Sequence, residues 1–79
     1  MTDPSDDRVR LELRAAIDDC LELDPRLIEV DVFEGVAVLA GRARSASQRA
    51  AATQVALRVS GVREVRNDIE VQQVGRPVA

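Results

Sequence analysis

Apolar residues recur at helical spacing near the start of the chain and alternate with polar residues in later segments. The helical set, at steps of one, three or four, comprises Val9, Leu13, Ala16, Ile17, Cys20 and Leu21. This spacing predicts an amphipathic helix whose apolar side packs against a core. We expect Ser5 or a neighbouring aspartate to cap the helix and Pro25 to end it.

Two alternating segments predict a β-hairpin. A strand runs up to Glu34-Gly35, and a second strand follows over residues 36–42. A two-residue loop fixes which residues face each other across the hairpin. The predicted core-side pairs are Val32 with Ala37, Val30 with Leu39 and Ile28 with Gly41; the outward pairs are Phe33 with Val36 and Asp31 with Val38.

A second helix and a third strand follow the hairpin. Ser45 and Gln48 have the S-x-x-Q spacing of a capping box, and Gly61 ends the predicted helix. The small buried face of this helix comprises Ala52, Val55, Ala56 and Val59. The inward positions of the third strand are Val65, Asn67, Ile69 and Val71.

The element order predicts an α+β domain with the sequence helix, strand, strand, helix, strand. Both helices cover one face of a three-stranded mixed sheet in a two-layer α-β-β-α-β arrangement. The second and third strands run parallel if the connecting helix lies back along the sheet, and the pattern leaves their adjacency open. We predict an acidic disordered tail over residues 1–7, the domain over residues 8–74 and a tail over residues 75–79.

Composition argues against several classes of function. All eleven basic residues are arginine, and fourteen acidic residues give a formal net charge of -3, which disfavours a nucleic-acid partner. The chain has no histidine to act as a base or zinc ligand, and its single cysteine, Cys20, lies in the apolar helix stripe. Glu29 and Asp31 on the first strand are expected to be solvated. The sequence therefore predicts no enzyme, no cofactor and no metal site.

The motifs in this order and spacing resemble one known family. They comprise Gly35-Val36-Ala37-Val38-Leu39-Ala40-Gly41, then Arg44-Ser45-Ala46-Ser47-Gln48-Arg49, and then Gly61-Val62 with Val65 and Asn67. Over residues 8–74, the chain resembles a single BON domain, the bacterial module named for osmotically inducible and nodulation proteins.

The resemblance implies a fold and a class of function. It implies the same mixed-sheet fold and a non-enzymatic binding module associated with stress responses, for which attachment to phospholipid membranes is the role usually proposed. It also implies potassium binding or chaperone-like activity for some members. Members are commonly exported or carry tandem copies. Here the amino terminus is acidic and no run approaches the roughly 18 apolar residues that span a bilayer. We therefore expect a cytoplasmic module, or a domain excised from a larger envelope-associated protein.

Three arginines surround the predicted start of the second helix and form the first candidate site. Arg42, Arg44 and Arg49 lie there together with Ser45 and Ser47. Unpaired backbone N–H groups and the helix dipole favour an anion at such a position, so a phospholipid headgroup can bind. The alternative is a set of solvated or locally paired arginines beside an ordinary capping box.

An outward-facing apolar cluster forms the second candidate site. Phe33, Val36, Val38 and Ala40 share the side of the hairpin that faces away from the helices, where the family tends to place Thr or Ser. Strand propensity alone can explain β-branched residues there. A protein partner can also explain them, and so can a homodimer that pairs edge to edge if the second strand lies at the sheet edge.

The sequence thus favours a BON-like module that engages a phospholipid surface or a protein. The alternative is a monovalent-cation module that senses potassium through the carbonyl oxygens of the Phe33-Glu34-Gly35 turn. The competing interpretation of that segment is a plain hairpin turn.

Overall fold

A computed structural model of the protein describes residues 4–72. The elements are α1 (Pro4–Asp19), a short 3₁₀ helix (Pro25–Leu27), β1 (Ile28–Phe33), β2 (Val36–Ala43), α2 (Ala46–Leu57) and β3 (Glu64–Val71). Both helices contribute to a single core on one side of the sheet. The predicted element order and the two-layer α+β class are confirmed.

The sheet has the order β1-β2-β3, with β1 antiparallel and β3 parallel to β2. Every predicted hairpin pair is confirmed, from Ile28 opposite Gly41 to Phe33 opposite Val36. Glu34 and Gly35 have φ values of 53° and 80°, both in the left-handed region that a type I′ turn requires. The adjacency that the sequence left open is also decided, because β3 pairs directly with β2.

The central place of β2 corrects one premise of the sequence analysis. Edge-to-edge dimerisation through Val36 and Val38 requires their strand to have a free side. Helix α2 instead returns the chain so that β3 occupies that side, and β1 occupies the other. The proposed edge pairing through β2 is therefore wrong, and β1 and β3 are the edge strands.

The core is aliphatic and lies between the helices and the inner face of the sheet. Its largest fully buried side chains are Leu13, Ile17, Val32 and Leu39. Two alanines of α2, Ala52 and Ala56, are also fully buried, which lets this helix approach the sheet closely. A core of this kind is held together by non-directional apolar burial and close packing.

The first helix differs from prediction at both ends. It begins at Pro4, so Ser5 lies inside its first turn, and residues 4–7 are helical instead of a disordered tail. It ends at Asp19, so Leu21 lies beyond the helix and is 99% exposed, and Cys20 is only half-buried. Pro25 starts the 3₁₀ helix and does not end α1. Asp3, one of the aspartates near Ser5, and the tail over residues 75–79 lie outside the described residues.

Candidate functional site

The face of the sheet opposite the helices has no covering element within residues 4–72. We call it the open face. Val36, Val38 and Ala40 form a half-buried aliphatic row along its central strand, and Phe33 at the hairpin end is 63% exposed. All four predicted patch residues therefore lie on one continuous surface.

Charged residues lie on both sides of the aliphatic row and at one end of it. They are Glu29 and Asp31 on β1, Arg42 at the end of β2, and Glu64, Arg66, Asp68 and Glu70 on β3. The open face thus has five carboxylates and two guanidinium groups. The open face has a net negative charge.

Some of these charges are already paired. Asp31 accepts from Arg10 at 3.4 Å, and Asp68 lies 3.3 Å from Arg66. Both pairs are solvent-exposed, so each contributes little to stability. In the described part of the chain, the carboxylates of the open face that form no ion pair are Glu29, Glu64 and Glu70.

Side chains form hydrogen bonds with backbone groups along the outer edge of β1. Arg14 donates through Nη1 to the Ile28 carbonyl at 2.7 Å and through Nη2 to the Pro25 carbonyl at 2.9 Å. The Asp31 carboxylate accepts from the Val32 N–H at 2.8 Å. An incoming strand would have to displace these bonds before it could pair with β1.

The outer edge of β3 is occupied in the same way. Arg49 donates to the Asn67 carbonyl at 3.2 Å, and the Asn67 side chain accepts from the Ile69 N–H at 3.0 Å. The Asn67 amide also donates to the Arg49 carbonyl at 2.8 Å and to Thr53 Oγ1 at 2.7 Å. These bonds fasten β3 to α2 and obstruct strand addition at the second edge.

The predicted capping motif at the start of α2 is confirmed. Ser45 is the N-cap, and its Oγ accepts from the Gln48 N–H at 3.1 Å. The Gln48 side chain accepts from the Arg44 N–H at 2.8 Å, one residue before its usual capping-box partner. The capping groups of this helix end are thus engaged within the chain.

The three predicted anion-binding arginines do not converge. Arg42 and Arg44 line a shallow pocket of about 190 Å³ that also contains Glu22 and Asp24. Arg49 lines a different pocket, beside Asn67. Ser47 is exposed at the first turn of α2.

Acidic groups compete with an anion in the pocket of Arg42 and Arg44. The pKa of Asp24 lies below its ordinary value because Arg26 donates to its carboxylate, and the positive charge of Arg44 lowers that pKa further. Asp24 is therefore ionised at neutral pH and lies near the guanidinium groups that a phosphate would need. This arrangement does not favour the predicted phospholipid site.

The hairpin turn is held by contacts that sequence reasoning missed. Asp6 is buried, and its carboxylate accepts from the Glu34 N–H at 2.7 Å and the Gly35 N–H at 3.2 Å. The Gly35 carbonyl accepts from the Arg63 N–H at 2.9 Å. A signal for Asp6 exists in the sequence, because it extends the helical spacing of Val9 backwards onto the buried side.

These contacts do not favour the alternative potassium site. The carbonyl oxygen of Gly35 already accepts a hydrogen bond, and the cationic side chain of Arg63 packs beside Gly35, with its Cγ 3.1 Å from the position that a Cβ would take. Within residues 4–72, no group of three or more histidine, cysteine or carboxylate side chains is arranged to hold a metal ion. No helix in that range is long and apolar enough to cross a membrane.

Comparison with protein families agrees with the resemblance noted from the motifs. The model of the BON domain family matches residues 5–73, nearly the whole 79-residue chain. A comparison with curated proteins found no match.

Proposed function

Because the chain belongs to the BON domain family, a family of non-catalytic binding domains, we propose that it binds a protein partner through its open face. The observation that carries the proposal is the aliphatic row of Val36, Val38 and Ala40 on the uncovered side of the central strand. Such contiguous apolar surface on a small domain is typical of an interaction site.

The energetics of burial suit a reversible complex. Full burial of one aliphatic or aromatic side chain contributes about 1.5–3 kcal/mol. Phe33 and the aliphatic row are held on a rigid sheet, so a partner covers them with little ordering of the backbone. Val36, Val38 and Ala40 are already half-buried, so each gains less than this, and the ~8 kcal/mol of micromolar binding also requires contacts at the charged flanks of the row.

The blocked edges direct a partner to the face of the sheet. Strand addition would displace the bonds from Arg14 on β1 and those of Asn67 on β3. Covering the open face displaces neither set. A partner can therefore contact the open face without breaking hydrogen bonds at the edges of the sheet.

The charges favour a protein over an anionic membrane. Membrane surfaces rich in anionic lipid attract clustered Lys and Arg side chains. The open face has five carboxylates against two arginines, and Arg49 lies apart from Arg42 and Arg44. An anionic bilayer would meet like charge where the apolar contact is made.

Site-specific photo-crosslinking in the native host tests this proposal. Benzoylphenylalanine placed at Val38 should capture a defined polypeptide, whereas the same group at Gln54, exposed on α2, should not. A Val36→Glu change in the same chain should suppress the capture by placing a charge in the apolar row. Equal capture from both positions would contradict the proposal.

Vesicle binding provides the opposing test. We expect no co-sedimentation with phosphatidylcholine vesicles, whether or not they contain phosphatidylglycerol. Binding that requires the anionic lipid and disappears in an Arg42→Gln/Arg44→Gln variant would move the function to the phospholipid surface.

A further inference from the structure

We infer that the partner presents an amphipathic α-helix to the open face, with an apolar stripe flanked by lysine or arginine. The inference rests on the proposed function, because it assumes that a protein covers this face. It adds the shape and charge of the covering segment. Both follow from how the row and its flanks are arranged.

The dimensions of the open face fit one helix. The row from Val36 to Ala40 extends over ~13 Å at the usual strand rise, which corresponds to two to three turns of a helix. The flanking strands lie ~5 Å on either side, so the two charged rows are separated by about the width of a helix. The small Ala40 leaves room for close approach.

The opposite face of the same sheet already shows this packing. Helix α1 packs mainly on β1 and α2 on β3 and β2, and Ala37 and Leu39, which alternate with the residues of the open-face row, lie in the core that the helices share with the sheet. A helix on the open face would give the sheet a second covering layer, with helices on both sides. A helix on this face also keeps the existing hydrogen bonds at both sheet edges.

The unpaired carboxylates define the flanks of that helix. Glu29 lies on the β1 side of the row, and Glu64 and Glu70 lie on the β3 side. None of the three has an ion-pair partner in the described residues, whereas Arg66 is paired with Asp68. Complementary charge at the rim of an interface selects partners and speeds association. Cations on both flanks of the helix therefore complement this face.

A matched pair of synthetic peptides tests the inference. Both have ~18 residues, about five helical turns, and share a leucine and alanine stripe; one has lysine and the other glutamate at the flanking positions. Titration into ¹⁵N-labelled protein should shift the amide signals of β2 and its neighbours with the lysine peptide. Its Kd should be about tenfold lower than that of the glutamate peptide and should rise with salt.

Charge reversal on the protein supplies the controls. A Glu29→Lys/Glu64→Lys/Glu70→Lys variant should reverse the preference between the two peptides. Glu12→Lys, an exposed change on the helix side, should leave it unchanged. Circular dichroism checks that each variant folds.

Each opposing outcome identifies what fails. Equal affinities with shifts at the open face would overturn the charge inference and leave the proposed function intact. Shifts confined to the helix side would overturn both. The absence of shifts with both peptides would contradict the inference of a helical partner. The photo-crosslinking experiment would then test the proposed function independently. Open-face shifts with anionic vesicles alone, or with increasing protein concentration alone, would replace the helix with a membrane or a second copy.

Discussion

Asp6 joins the first turn of α1 to a hairpin turn 28 residues later in the chain. The carboxylate accepts from the backbone N–H groups of Glu34 and Gly35, the two turn residues with positive φ. Left without an acceptor, partly buried donors of this kind cost part of the desolvation of each group. One acidic residue thus fixes how the helix and the hairpin meet.

Replacing Asp6 with alanine should lower the free energy of unfolding by about 1–3 kcal/mol, because it leaves the Glu34 and Gly35 amides without their acceptor. Urea denaturation measures the change. Asp7→Ala is the matched control, since Asp7 is exposed and its ion-pair partner among residues 4–72 is Arg10, one turn away. Equal losses in the two variants would attribute the effect to helix-end charge instead of the turn contact.

At Gly41 the backbone packs so closely that there is no room for a Cβ atom. Its φ is +120°, and a Cβ there would collide with the backbone carbonyl of Leu27. We expect Gly41→Ala to destabilise the fold by about 2 kcal/mol or more, through strain and displacement of backbone that cannot yield like a side chain. Ala40→Val, the next position on the same strand but on the open face, should be nearly neutral. An unchanged urea midpoint for Gly41→Ala would contradict the register of β1 and β2.

At the scale of elements, Asn67 is the link between β3 and α2. Its side chain donates to the Arg49 carbonyl and to Thr53, and accepts from the Ile69 N–H. These bonds hold an edge strand against the helix that precedes it in the chain. The other edge strand is held from α1 by Arg14.

Asn67→Ala should destabilise the protein by about 2–3 kcal/mol, because it removes these bonds and leaves the partly buried Ile69 N–H and Thr53 hydroxyl without this partner. Hydrogen exchange should show the loss first at the Ile69 amide. Thr53→Val removes a single bond at nearly constant shape and should cost about 1 kcal/mol. If Thr53→Val costs as much as Asn67→Ala, the backbone bonds of Asn67 contribute little.

For the whole molecule, the arrangement of strands decides how copies can meet. The central strand is paired on both sides, and both edge strands have side chains bonded to their outer backbone groups. The open faces of two copies would bring like charges together. We therefore expect sedimentation equilibrium to show a monomer into the hundreds of micromolar, and a concentration-dependent dimer abolished by Val38→Glu would contradict this.

The sequence by itself determined the local structure, because local structure depends on hydrophobic periodicity and on the residues in the turns. Alternation on either side of Glu34-Gly35 predicted the register of β1 and β2 pair by pair, since a two-residue loop allows one alignment. The Ser45 cap and the outward position of Phe33 followed from the same local rules. The order of elements then restricted the fold to two layers.

Only the tertiary structure decided what depends on contacts between distant parts of the chain. The adjacency of β2 and β3 depends on how α2 packs, and this removed the edge pairing that the sequence allowed. Asp6 and Asn67 acquired their roles because folding brought backbone groups to polar side chains. The separation of Arg49 from Arg42 and Arg44 has the same origin, because residues close in sequence point to different sides once a strand passes into a helix.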